Sequence, residues 1–177
     1  MGNHEEAVKN FERALELATA PVDRAKVLAN LGDLYLSVDK PQTALGFFKE
    51  AHSLVENNPL YLIFIAKSFL ALGDEERARK VLATAEAQET ELPQWETEED
   101  RGLGSYVMAR CYVSLRDESK VLYHLEQAIK ANPTKYVPFL QRELAETTSL
   151  LFSLKGNPRL EKALRWGKRE ASARERR

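Results

Sequence analysis

Apolar and polar positions alternate along Val27–Ala51 with the spacing of two short amphipathic helices joined by a tight turn. The first carries Leu31, Gly32 and Tyr35, and the second carries Ala44, Phe48 and Ala51. Thirty-four residues on, the same set returns as Ile65, Ala66, Phe69, Ala78, Leu82 and Ala85. It returns again at an offset of 43, as Ala109, Tyr112, Val121, Leu125 and Ala128. A recurrence of this length marks a repeat architecture built from helical hairpins.

The pattern divides the chain into predicted elements. Glu5–Leu17 matches the second helix of the hairpin, with Ala7, Phe11 and Ala14 each 37 residues before Ala44, Phe48 and Ala51. The array therefore starts on a half-repeat. That is expected either of a piece of a longer array or of a native cap covered by something else. Full repeats follow at 25–58, 59–88 and 102–133, with helices over Ala25–Ser37, Thr43–Val55, Leu60–Leu72, Asp74–Ala87, Gly104–Leu115 and Glu118–Ala131. Asp23 is a candidate cap, and Gly73 a C-terminal stop. The nine residues added between the second and third repeats fall in 88–103, QETELPQWETEEDRGL, which reads as an acidic insertion loop holding Trp95. Beyond Pro133 a long helix is expected over Phe139–Leu154 and a final one over Arg159–Arg174. Region 134–177 thus reads as a degenerate repeat or a pair of capping helices.

Physical chemistry explains the repeat. Two helices approach closely only where their side chains are small, which is the part given to Gly32 with Ala44 and to Ala66 with Ala78. No hairpin of this size buries its apolar face alone, so each depends on its neighbours.

The ordered set of small residue, aromatic, small residue, bulky apolar, alanine and proline resembles the tetratricopeptide repeat family. It is carried by Leu31, Gly32, Tyr35, Ala44, Phe48 and Ala51, by their counterparts 34 and 77 residues on, and by Pro59 and Pro133. Val121 departs from the pattern where a small residue is usual, and Leu28 stands where a tryptophan is often found. The resemblance covers residues 2 to about 133. It implies an all-α fold, a right-handed superhelical array of antiparallel helix pairs of the TPR-like α-solenoid kind. It also implies that first helices line a concave groove that takes a peptide or helix of another protein. On the faces turned from the packing positions, the expected partner-binding residues are Asn30, Leu60, Ile63, Phe64, Lys67, Tyr106, Val107 and Arg110. An apolar floor beside Lys67 and Arg110 suits a segment with apolar anchors and an acidic residue. The alternative is that the helical phase is off by one residue, or that the long acidic loop or the C-terminal helix covers these side chains. Members that clamp a peptide carboxylate do so with Lys and Asn on successive first helices. Here Asn30 has Ala29, Ile63, Phe64 and Tyr106 in the corresponding places, so that clamp is not expected.

Composition narrows the picture further. Of 177 residues, 44% are apolar and 30% charged, with only eight Gly and seven Pro, as suits a folded helical chain. No apolar run is long enough for a membrane span, one cysteine (Cys111) excludes an internal disulfide, and a cytoplasmic setting is expected. His4, His52 and His124 are isolated and no phosphate loop or nucleophile elbow appears. No catalytic, metal or cofactor residues are expected, and the chain does not read as an enzyme. Charge, however, is uneven. From Lys155 onward nine Lys and Arg stand against three Glu, a net of +6, while residues 1–154 carry a net of −7. The tail, with Trp166 in RWGKREASARERR, raises two further classes: association with nucleic acid, which its interleaved Glu residues disfavour, and docking onto another copy as a homo-oligomer. Membrane insertion is not expected of it. A third class is a regulatory region of a larger enzyme.

Overall fold

In the computed structural model, described over residues 2–91, 97–149 and 151–176, every regular element is helical. Nine α-helices are described: α1 Gly2–Leu17, α2 Pro21–Ser37, α3 Pro41–Leu54, α4 Pro59–Ala71, α5 Glu75–Glu91, α6 Glu98–Ser114, α7 Glu118–Ala131, α8 Pro133–Ala145 and α9 Pro158–Arg174. The fold is an all-α array of helix pairs, α2 with α3, α4 with α5, and α6 with α7, joined by tight turns. The chain forms two compact units, Met1–Gln94 and Trp95–Arg177. The third pair thus groups with the helices beyond Pro133.

Each hairpin turns on the same backbone device. Asp39, Gly73 and Arg116 occupy equivalent positions, and all three have positive φ (57°, 78° and 59°). In each case the amide two residues past the first helix's C-cap reaches back to its aromatic: Lys40 to the Tyr35 carbonyl at 2.9 Å, Asp74 to Phe69 at 2.9 Å and Asp117 to Tyr112 at 3.0 Å. These bonds satisfy carbonyls that the helix end would otherwise leave open. Prolines at the first positions of α2, α3, α4, α8 and α9 open their helices, where a missing N–H costs nothing.

In the first unit, α1 packs on α2 with a half-buried apolar face, and Leu17 is exposed. Arg24 pins the end of α1 by donating to the Leu15 carbonyl at 2.9 Å. Between α2 and α3 the approach is tight. A β-carbon on Gly32 would stand 2.5 Å from Cε1 of Phe48, whose side chain has no exposed surface. Phe48 in turn stacks on Phe64 of α4, with ring centroids 5.1 Å apart. The repeat positions Ala44, Ala51, Ala66, Ala78, Leu82 and Ala85 are all fully buried.

The second unit repeats the scheme and then modifies it. Met108, Ala109, Leu125 and Ala128 are fully buried, Tyr112 and Val121 nearly so. Two further close approaches occur at glycines. Gly102 lies against Tyr136 of α8 and Ala131 of α7, and Gly167 of α9 lies against Ile129 and Val137. Ala163, one turn before Gly167, is only half-buried.

Three expectations need correction. The stretch 88–103 is helical at both ends, because α5 continues to Glu91 and α6 opens at Glu98. Thr97 caps α6 by accepting from the Asp100 amide at 3.0 Å, and Glu99 and Asp100 in the first turn suit the positive end of the helix. Trp95 lies outside the described residues. Second, the helix after Asn132 begins at Pro133 and ends at Ala145, with Pro138 inside it and a short 3-10 turn at Phe152–Leu154. Asn132 caps it through the Lys135 amide at 3.1 Å, so Pro138 interrupts only one early backbone bond. Third, α2 starts at Pro21, which leaves Asp23 inside its first turn and not at its cap.

Because a fully buried ring has nowhere to move, Gly32→Val is expected to overpack the α2–α3 crossing and cost about 1–3 kcal/mol. Urea denaturation followed by circular dichroism checks this, and a loss under about 0.5 kcal/mol would show that Phe48 relaxes freely.

Candidate functional site

Among the described residues no group of three or more His, Cys, Asp or Glu side chains is placed to hold a metal ion, and no helix is long and apolar enough to cross a membrane. Attention therefore falls on surfaces, and first on the eight residues expected to line a groove.

In the first unit these residues separate into a buried set and an exposed rim. Leu60, Ile63 and Phe64 are buried, Ile63 completely, so they do not form an open apolar floor. The reason is that α4 is apolar on every side over Pro59–Ala66 and packs against both α3 and α5. What reaches solvent is polar. Asn30 of α2 is exposed, and Lys67 of α4 meets Asp33 of α2 at 2.7 Å, with both side chains about half exposed (41% and 48%). The two residues are 34 apart, so the ion pair links equivalent turns of successive first helices. The Lys67 ammonium also lies 5.9 Å from the centre of the Phe64 ring.

In the second unit Tyr106 and Val107 are likewise buried, at 8% and 9%, and Arg110 is exposed. Here α8 supplies the neighbours. Tyr106 meets Phe139 edge to face, with centroids 5.1 Å apart, and Phe139 is half-buried. Arg110 donates to the Tyr106 hydroxyl at 3.4 Å, and Tyr106 donates to Glu143 at 3.5 Å. Arg142 lies over Phe139 at 5.3 Å. Lys135 of α8 pairs with Glu99 of α6 at 2.6 Å, which holds that carboxyl below its usual range. The result is a half-buried Phe139 ring backed by the buried Tyr106, with a guanidinium beside each. Burial pushes the Tyr106 phenol up, against the opposing pull of Arg110.

Phe139, Arg142 and Glu143 were not among the expected residues. They went unseen because the helix was placed to start at Phe139. The Asn132-Pro133 dipeptide, a cap followed by a proline suited to a first turn, is the signal that finds α8. Asp33 and Lys67 meet in an exposed ion pair, and Asn30, one turn before Asp33 on α2, is exposed.

Comparison with known proteins supports the class. Residues 1–57 match the family described as tetratricopeptide repeat, so the resemblance carried by the repeat positions stands in that region and the fold beyond it is an all-α helical-repeat array. A Photosystem I assembly protein, Ycf3, from Synechococcus sp. (strain CC9902), is 33% identical over 58 residues, which cover 33% of this chain and 32% of the relative. The chain thus spans about a third of the length of that relative. No solved structure gives a significant match.

Beneath the second rim, the Tyr136 hydroxyl is buried and finds no hydrogen-bond partner among the described residues. Burial, and then the charges of Glu99, Tyr106 and Asp100, push its pKa up to about 12. The folded chain therefore keeps a proton that an unfolded one loses near pH 10, so stability falls as pH rises from about 10 to 12. Tyr136→Phe removes the unpaired hydroxyl. It is expected to leave stability at pH 7 unchanged or to raise it by about 1 kcal/mol, and to shrink the decline between pH 10 and 12. Thermal melts of both proteins at pH 7 and pH 11 check this.

Proposed function

We propose that this chain is a protein–protein interaction module in which the rim of each unit, taken by itself, holds an extended or helical segment of a partner protein. Tetratricopeptide repeats generally serve as protein-interaction modules, and the likeness to an assembly protein supports a role in bringing protein subunits together. The observation that carries the proposal is the rim of the second unit, where Arg110 and Arg142 flank the half-buried Phe139 ring and the buried Tyr106 behind it. That arrangement accepts an apolar side chain beside a carboxylate. In the first unit Asn30 and Lys67 offer a hydrogen-bonding group and a cation. The Asp33–Lys67 pair is surface-exposed and so worth at most about 1 kcal/mol, and a partner's carboxylate exchanges with Asp33 at little cost. Leu60, Ile63, Phe64 and Val107 act from behind, by fixing the helices that carry these groups.

The test is charge reversal on each rim, after a partner has been isolated by photo-crosslinking from position 110. Lys67→Glu, and separately the double change Arg110→Glu with Arg142→Glu, are each expected to weaken binding at least tenfold, about 1.4 kcal/mol, by calorimetry. Unchanged affinity in both variants would place the contact elsewhere on the chain.

A further inference from the structure

The face formed by α7 and α9 carries a second opening, made by other residues than the rims above. Gly167 lets α9 settle on Ile129 and Val137. One turn earlier, the small side chain of Ala163 leaves room between the two helices. The resulting cavity has a volume of about 400 Å³, and both Ile129 and Trp166 line it. That size falls in the range of sites that take a ligand or an anchoring side chain. Trp166 keeps 38% of its surface exposed, although it is the largest apolar side chain on α9.

Charge around the opening is one-sided. Glu126 is the carboxylate among the described lining residues, and Arg159 already holds it through two hydrogen bonds of 2.7 and 3.0 Å. That pair cancels internally. Lys130 and Lys162, both exposed, also line the cavity and form no ion pair among the described residues. Two cations without counterions thus stand over an apolar slot that contains a tryptophan. A lone exposed tryptophan is ordinary, but one that lines a cavity together with two unmatched lysines has the chemistry of a recognition site.

We propose that the α7–α9 slot binds an acidic segment of a partner protein. A bulky apolar side chain of that segment enters beside Trp166, and its carboxylates pair with Lys130 and Lys162. A protein segment fits better than a nucleic acid, because the lining is largely apolar and Glu161 and Glu170 on α9 oppose an extended run of phosphates. The site is independent of the first-helix rims, so the two readings stand or fall separately.

A library of random twelve-residue peptides displayed on phage, panned on the immobilised full chain, tests the proposal. Enriched peptides are expected to combine Asp or Glu with a central Leu, Phe or Trp. Each is then synthesised with a fluorescein label and measured by anisotropy. Lys130→Glu with Lys162→Glu is expected to weaken binding at least tenfold while leaving circular dichroism unchanged, and Lys9→Glu with Lys49→Glu, exposed lysines outside the slot and the rims, to leave it within twofold. The more conservative pair Lys130→Gln with Lys162→Gln, expected to give an intermediate loss, covers the case in which charge reversal disturbs folding. The proposal is overturned if no peptide enriches, if the enriched set lacks acidic residues, or if affinity survives the α7–α9 changes. It is overturned equally if a twelve-nucleotide single-stranded RNA binds more tightly than any peptide through the same lysines. Self-association in sedimentation velocity that the lysine changes abolish would instead assign the slot to a second copy of this chain.

Discussion

Phe48 has no exposed surface because Gly32 lets α2 come down on its ring, and because Phe64 covers the other side. This three-residue contact sets the spacing of the first unit. It fixes how closely α2 approaches α3, and through the Phe48–Phe64 stack it fixes where α4 lies. The reach of Lys67 to Asp33 follows from that placement, since a 2.7 Å ion pair between successive first helices needs the helices to be one repeat apart and in register. In a helical array each hairpin relies on the next for burial, so one crowded crossing has effects along the stack.

The same economy of small residues is used differently in the second unit. Gly102 admits the ring of Tyr136, and Gly167 admits Ile129 and Val137, so α8 and α9 are held by close contacts that the regular repeat spacing does not foretell. The unpaired Tyr136 hydroxyl is a cost of that closeness, since no donor or acceptor among the described residues reaches it. Its burial nevertheless supports Tyr106 and Phe139 above it, with which it forms a run of aromatic rings.

Much of the architecture was legible in the chain because the repeat positions are dictated by packing alone. Gly32, Ala44, Phe48 and Ala51 are buried for the reason their spacing suggests, as are their counterparts in the next two pairs. The turn at Gly73 was equally plain, whereas Asp39 and Arg116 adopt the same positive φ without announcing it by residue type. The surface was harder to read. A helix that is apolar all round has no face that its sequence marks as outward, so Leu60, Ile63 and Phe64 looked open when they are covered. In the same way, a helix beginning at Phe139 keeps Pro138 out of a helix interior, where proline is costly, whereas the cap at Asn132 and the proline at Pro133 start α8 six residues earlier.

The apolar residues of α4 serve the stack, and it is the polar rims around them that we propose for recognition. Amide hydrogen exchange of a Phe64→Ala chain addresses this without needing a partner. Losing a buried ring that stacks on Phe48 is expected to cost about 3–5 kcal/mol and to speed exchange in α3 and α4 together. Exchange rates in α3 that match those of the unaltered chain would mean that Phe64 is not part of the packing, and would return it to the role of an open contact for a ligand.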